Sequence, residues 1–507
     1  MGVAVAAAAL VSVVGSAATP DRSGSVRSYG RSLVVGYSTA GGLAAAVHGG
    51  AVVERRFPAL QAVEVRTSVA AATLRRAQGI RFVSLPAARG AAAEPAVALA
   101  LASTAAGGEW QYRATHEDGV PDAVLRAASS ITIAVVDTGA DVTAPDLAAK
   151  SPGTYNTRSG TADVSDPNGH GTFVASIAAG SVTNGDGIAG AGGDAQLLVV
   201  KAGSNDGTFT DVDEAAGILY AVDHGARIVN LSFGGAGTSA IERNAIRYAI
   251  DHGVLVVAAV GNEYQMGNPV EYPAALLQPV GSNGAGGAGL AVTASTAVGT
   301  RAKFSNTGSW VSLAAPGEHV FGDVSSLSLS SQYPRTALPG SLAGLYGYAS
   351  GTSFAAPQVA GAAALVWAAN PSLTAQQVAQ ILKATASGGG RWTPGLGFGV
   401  VDVAAAVALA QSGRPGVLLS GTRVRSRVHL TWSGDASSYT LTLATDGHTA
   451  KAVLAATDRT SAWITLSAGH AYSFTVSALG PNGTADATST PLTVSVPPAR
   501  AKAGARP

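Results

Sequence analysis

Cysteine is absent from all 507 residues, which excludes disulfide staples, thiolate nucleophiles and Cys-based zinc sites. Export is not excluded, because an exported protein need not carry disulfides. Charge is scarce too: 12% of residues are Asp, Glu, Lys or Arg, against about 25% in a typical soluble chain. The 32 basic and 31 acidic side chains leave a formal net charge of +1. That is too small a field to gather nucleic acid or acidic substrates. Beyond the N-terminus no apolar run reaches the roughly 18 residues of a membrane span. What is abundant is Gly, with 64 residues, and hydrophobic types, at 47%. The length suffices for about three domains of roughly 100–200 residues each.

Residues 2–18 read GVAVAAAALVSVVGSAA, an apolar run ending in small residues, although no Lys or Arg precedes it. Residues 1–18 are therefore expected to be a secretory signal peptide, or failing that an Ala-rich helix. The expected location is secreted, with no membrane span in the mature chain. Residues 31–83 change to short alternations. Strands are predicted at 33–37, 51–55, 62–66 and 80–83, and helices at 42–48 and 69–78, which makes a small α+β unit. Residues 84–108 become Ala/Gly-rich without an amphipathic pattern, as an exposed linker with a processing site would be.

Residues 109–411 alternate apolar runs with amphipathic segments. Runs at 131–136, 197–200, 227–231, 254–260 and 290–294 predict buried parallel strands. Segments 212–224 and 240–252 have helical spacing, and both end in His-Gly, a stop signal for a helix. The fold class is α/β, a doubly wound and mainly parallel sheet, which places an active site at the strands' carboxyl ends. In residues 415–496 the period becomes two, predicting a β-sandwich. Trp432 and the strand Tyr472-Ser473-Phe474-Thr475-Val476 resemble a fibronectin type III domain, in which such a Tyr forms a corner with upstream backbone. The tail, 497–507, is Pro/Ala/Arg and expected to be disordered.

Three segments of the central block carry candidate chemistry. Asp137 follows the most apolar strand in Val-Val-Asp-Thr-Gly; alone, such a tripeptide also suits a turn. Aspartic proteases use D-T-G as well, but they need a second copy to share a proton, and none is present. His170 lies between two glycines at a predicted helix start, so its imidazole is unobstructed, although a solvated loop His would look the same. Ser353 opens a long Ala-rich helical stretch. There it is either an N-cap or a hydroxyl placed beside unpaired N–H groups that favour an oxyanion. Its surroundings miss G-x-S-x-G at Ala355, against an esterase elbow.

Taken together, VVDTGADVTAPDL, NGHGTFVASIAAG and GTSFAAPQVAG resemble the subtilisin-like serine peptidases, the subtilase family, over essentially all of 109–411. The Asp, His, Ser order is that of subtilisin's own triad. The resemblance implies a secreted serine endopeptidase that cuts peptide bonds through Asp137, His170 and Ser353 and an acyl-enzyme. It implies Asn262, in VVAAVGN, as an oxyanion donor. Leu231, Ser232, Phe233 and Gly234 are implied to pair with substrate as an added strand. Ala259 and Gly261 fall in the wall of a primary pocket with room for a sizeable apolar side chain. The unit at 31–83, with Val47-His48-Gly49-Gly50, resembles the family's inhibitory prodomain, so the chain is expected to be a self-processing zymogen inhibited by its own prodomain.

The expected partners are thus protein or peptide substrates and the chain's own prodomain. No cofactor is required by this chemistry. Structural calcium is left open: Asp146 matches a calcium position of many subtilases and 181–187 resembles the accompanying loop, but a solvated turn fits Asn184-Gly185-Asp186 equally. Residues 277–289 and 321–347 are longer than a minimal subtilase needs, either as cleft walls or as inert surface. Asn230-Leu231-Ser232 and Asn482-Gly483-Thr484 match a glycosylation pattern that is more often coincidence. The alternative function is a binding or adhesion protein on a subtilase scaffold, against which the complete Asp/His/Ser set argues.

Overall fold

The computed structural model describes residues 30–91, 109–183, 187–328, 333, 335–336, 346–413, 416–434, 436–489 and 491–497. The expected signal peptide, most of the expected linker and nearly all of the tail lie outside these residues.

Strands Arg31–Tyr37, Val52–Phe57, Ala62–Thr67 and Ile80–Ser84 form a four-stranded antiparallel sheet, with helices Ala40–Ala46 and Ala71–Arg76 between them. Strand residues alternate faces, and both faces are used. Leu33, Val35, Val63 and Val65 form a core with Leu74. Val34, Phe57, Leu60 and Ala62 turn the other way, into an apolar cluster shared with Val212, Leu219 and Ile246 of the central unit. The second face is thus buried only by docking. Arg55 adds an ion pair to Asp213 at 3.0 Å.

The central unit is a seven-stranded sheet in the order Leu313–Pro316, Leu290–Ser295, Leu255–Ala259, Ile228–Leu231, Thr132–Asp137, Gln196–Lys201, Gly153–Asn156. Every neighbouring pair is parallel. In the Asp137 strand, Ile133 and Val135 enter one core and Ala134 and Val136 the opposite one. Burial on both faces explains why these strands read as unbroken apolar runs. Helices His170–Ala179 and Thr352–Ala369 cover the first face, Asp211–Asp223 and Ala240–Asp251 the second. Helix Thr352–Ala369 is buried without a break from Thr352 to Trp367, hence its small side chains. A Cβ on Gly361 would lie 2.4 Å from the Ala191 carbonyl carbon. The two edge strands escaped prediction: GTYN has no apolar run, and LAAP is short and ends in Pro.

The C-terminal region is two sheets around one core of Val428, Leu430, Trp432, Tyr439, Leu441, Phe474 and Val476. The Tyr472 hydroxyl accepts the Ser467 N–H at 2.8 Å and donates to the Ser467 carbonyl at 3.3 Å. Among the described residues no helix is long and apolar enough to cross a membrane.

Candidate active site

Asp137 ends its strand fully buried. The chain must then turn at once: Gly139 has φ 119°, and a Cβ there would lie 2.2 Å from the Val164 carbonyl oxygen. Gly171 closes on the same spot, since a Cβ on it would meet the Gly139 oxygen at 2.1 Å. These two glycines let the strand end and the start of helix His170–Ala179 touch. As a result Asp137 Oδ1 lies 2.7 Å from His170 Nδ1 and also accepts the Thr138 N–H at 2.7 Å. A carboxylate on Nδ1 fixes the tautomer and leaves Nε2 as the basic nitrogen.

Asp166 stitches this junction, with no part of it exposed. Its Oδ1 accepts the Thr138 hydroxyl at 2.8 Å and the Gly169 N–H at 3.0 Å. Its Oδ2 accepts the Thr172 N–H and hydroxyl at 2.8 and 2.7 Å. The Thr138 hydroxyl in turn accepts the Gly171 N–H at 2.9 Å. Lys201 Nζ donates to the Thr138 carbonyl and, at 3.2 Å, to Asn205. Burial lowers the Lys201 pKa, against the pull of Asp166 and Asp163.

Ser353 is the second residue of helix Thr352–Ala369, where backbone N–H groups have no partner within the helix. Its hydroxyl donates to the Ser232 carbonyl at 3.0 Å, and the Ser232 hydroxyl donates back to the Ser353 carbonyl at 2.7 Å. Asn230 Nδ2 donates to Ser232 Oγ at 2.9 Å, so the helix start is pinned to the end of a central strand. Asn230 is fully buried, which rules out a glycan. The next ring, Phe354, packs 5.8 Å from the His170 ring. The carboxylate and imidazole are thus in direct contact, while the seryl hydroxyl rests on Ser232.

Asn262 follows strand Leu255–Ala259. Its Oδ1 accepts the Thr352 N–H at 2.9 Å and the Thr352 hydroxyl at 3.0 Å, which fixes which way the amide faces. Its Nδ2 is buried with no hydrogen-bond partner among the described residues. A buried unpaired donor costs about 1–3 kcal/mol, and an oxyanion would relieve that cost. The Thr352 hydroxyl also accepts the Gly261 N–H at 3.2 Å.

Leu231, Ser232 and Phe233 are buried, and Phe233 stacks on Phe209 at 4.3 Å. Gly234 is half-exposed and already has a strand partner: it exchanges two 3.1 Å backbone hydrogen bonds with Gly90. This corrects the exposed-linker reading at Ala88–Gly90, the rest of 84–108 beyond residue 91 lying outside the described residues. Ala88–Gly90 is a strand, antiparallel to Thr208–Thr210 on its other side, and Arg89 is 4% exposed. Ala and Gly carry no side-chain pattern, so backbone pairing of this kind leaves no trace in the sequence.

Residues 128–399 match the subtilase family of peptidases. The chain belongs to the subtilase family. It is 35% identical over 243 residues to the thermophilic serine proteinase of Bacillus sp. (strain AK1), covering 48% of this chain and 53% of that one. To thermitase of Thermoactinomyces vulgaris it is 36% identical over 240 residues, 47% of this chain and 75% of thermitase. To subtilisin BL of Lederbergia lenta it is 34% identical over 296 residues, 58% and 95% of the two chains. Thus the chain spans about half of the first relative. Fervidolysin from Fervidobacterium pennivorans, a keratinolytic enzyme related to subtilisin, superposes with TM-score 0.62 at 21% identity over 90% of this chain and 88% of that one. That likeness establishes a common fold.

Two carboxylates lie beside Gly261, which with Ala259 was expected to wall an apolar pocket. A Cβ on Gly261 would lie 2.7 Å from carboxylate oxygens of both Glu263 and Glu271, and one on Gly234 2.6 Å from Glu271 Oε2. Burial first, then the hydrogen bond and charge of Glu263, push the Glu271 carboxyl up to about 8. Sequence reading missed Glu271 because it is ten positions from Gly261 and carries no motif.

Asp146, the candidate calcium position, is engaged by hydrogen-bond donors. Its Oδ2 accepts the Tyr346 hydroxyl at 3.0 Å and the Ile188 N–H at 3.2 Å. It neighbours a second buried acid, Asp323, whose pKa burial and then Asp146 raise well above the ordinary value. Among the described residues no three His, Asp or Glu side chains are grouped to hold a metal; residues 184–186 of the expected loop lie outside them. Asp166 and Thr352 also went unread. Their only signal is position, four residues before His170 and next to Ser353.

Proposed function

We propose that this subtilase is a secreted serine endopeptidase made as a self-processing zymogen. The observation that carries the reading is the fully buried 2.7 Å contact between Asp137 and His170, an arrangement with no structural necessity in a sheet already closed by apolar packing. In the proposed reaction Ser353 Oγ leaves the Ser232 carbonyl and attacks the peptide carbonyl carbon while His170 Nε2 takes its proton. Asn262 Nδ2 and the Ser353 N–H hold the resulting oxyanion. Collapse of the tetrahedral species breaks the C–N bond, and His170 returns the proton to the leaving amine. Water, activated by the same imidazole, then hydrolyses the acyl-enzyme. Asp137 stays ionised and stabilises the imidazolium.

The N-terminal unit acts as the inhibitory prodomain: its apolar face sits on helices Asp211–Asp223 and Ala240–Asp251, and strand Ala88–Gly90 fills the groove at Gly234. The apolar run at 2–18 supports export. The C-terminal sheets, with their Tyr472 corner, support a fibronectin type III-like accessory domain. Casein hydrolysis together with labelling by a fluorophosphonate tests the reading. Wild type should do both once the prodomain is removed, whereas Ser353→Ala should accumulate as full-length precursor. A wild type that stays inert and unlabelled, or a Ser353→Ala chain that matures normally when purified, refutes it.

A further inference from the structure

An arginine side chain is costly to bury unless its charge is matched. Arg89 is nonetheless buried, its side chain 1% exposed, and it is matched by two carboxylates that see no solvent at all. Nε lies 3.4 Å from Glu214 Oε2 and Nη2 lies 2.9 Å from Glu242 Oε1. Asp211, also fully buried, adds a third negative group nearby and accepts the Ala87 N–H on Oδ1 at 2.8 Å. Burial works against the Arg89 charge, but Glu214 and Glu242 outweigh it. Room for the guanidinium comes from Gly235, on which a Cβ would lie 3.3 Å from Nη1. The acids come from helices Asp211–Asp223 and Ala240–Asp251, so the pocket belongs to the central unit and only its occupant belongs to the N-terminal segment.

The occupant arrives as a substrate strand would. Ala88–Gly90 lies between Thr208–Thr210 and Gly234, antiparallel to both, and the Ala91 N–H continues the pairing to Gly207 at 3.2 Å. Its neighbours Ala88, Gly90 and Ala91 offer no side chain to recognise, so Arg89 is the one specific feature of the segment. Gly90 is opposite Gly234, and the antiparallel direction carries the chain toward Ser232, whose carbonyl holds the Ser353 hydroxyl. Ser232 lies two residues before Gly234 on that strand, so a substrate strand continued in this register would place the second residue after the one at Gly234 beside it.

We propose that Glu214, Glu242 and Asp211 form a guanidinium-recognition pocket that selects peptides with arginine three residues before the residue whose bond is cut, and that Arg89 is its built-in occupant. The proposal rests on the endopeptidase reading and gives it a substrate class. Arg reaches both carboxylates through separate nitrogens of one rigid plane, a geometry that the single ammonium of Lys does not reproduce. The first self-cleavage follows Ala92, exposing Ala93.

The test uses the self-processed full chain and the peptide Ala-Arg-Gly-Ala-Ala carrying a fluorogenic amide, compared with the same peptide in which citrulline or Leu replaces Arg. Citrulline keeps the shape and removes the charge. The expected result is a kcat/KM at least about 30-fold lower for citrulline and Leu than for Arg. The Glu214→Leu/Glu242→Leu enzyme should reverse the order toward Leu, and N-terminal sequencing of the first processing product should read Ala-Glu-Pro. Equal rates for Arg and citrulline in an enzyme that hydrolyses both overturn the pocket while leaving the peptidase intact. No hydrolysis of any peptide with no fluorophosphonate labelling overturns both.

Discussion

Two buried ionic sites stand on opposite faces of one sheet, and they are held in different ways. At Asp137 and His170 both partners come from the central unit, and backbone N–H groups, Thr138 and Asp166 fix them from several sides. Either group could be neutralised without the other leaving. At Glu214 and Glu242 the acids are fixed but the cation is borne on a three-residue strand from outside the unit. Removing that strand leaves two buried acids facing each other without a counter-charge. The first arrangement suits a centre that must keep its geometry through every turnover. The second suits a site that exchanges occupants and is stabilised by each one that carries a positive charge.

The sharpest way to break the comparison is to remove the Asn262 amide, whose Nδ2 has no partner among the described residues. Asn262→Ala should lower kcat by roughly 10²–10³-fold with little change in KM, the size of the effect known for the equivalent donor in subtilisin itself. The variant also takes the Oδ1 acceptor from the Thr352 N–H and hydroxyl, so stability should fall as well, by about 1–3 kcal/mol for a buried donor left unpaired. Steady-state kinetics below the melting transition, with a melting curve on the same preparation, check this; an unchanged kcat in enzyme that is still folded would mean that Asn262 is merely structural.

A smaller effect is expected on the exchangeable side. Arg89→Leu in the full-length Ser353→Ala precursor leaves Glu214 and Glu242 buried without their cation, and breaking such a pair costs on the order of 3–5 kcal/mol. The precursor should unfold at lower denaturant, and its N-terminal unit should become more susceptible to added protease. The processed enzyme has no such residue to lose, so its own stability should not register the substitution. An unchanged precursor would mean that the ion pairs contribute nothing to docking.

The sheet and its covering helices were legible because two-sided burial writes itself as apolar runs and helical spacing, as at 131–136 or 240–252. The candidate triad could be named because Asp137, His170 and Ser353 each sit at an element end, in short segments with glycine close by. What escaped has a common cause: its signal is relational. Asp166 and Thr352 matter through hydrogen bonds to residues that sequence alone does not bring together. Glu214 and Glu242 look like ordinary helix-start acids, good partners for a helix N-terminus, until the fold sets them around Arg89. Ala88–Gly90 looked like a linker because strand pairing through backbone needs no side chain.

Glu271, beside Glu263 at the groove, adds a pH dependence to the comparison. The Glu271 carboxyl is held at about 8 by burial and then by Glu263, against an ordinary value of 4.5. Below the ordinary value both folded and unfolded chains carry the proton, and the contribution to stability is complete. As pH rises the unfolded chain ionises first while the folded chain keeps its proton, so stability declines until the folded group also ionises near 8. Glu271→Gln keeps the shape and removes the titration. Its denaturation midpoint should therefore fall less between pH 5 and pH 8 than that of wild type. The wild-type slope should not vanish entirely, because burial also pushes Glu109 up to about 8. Parallel slopes for the two proteins would show that Glu271 ionises in the folded chain as readily as in the unfolded one.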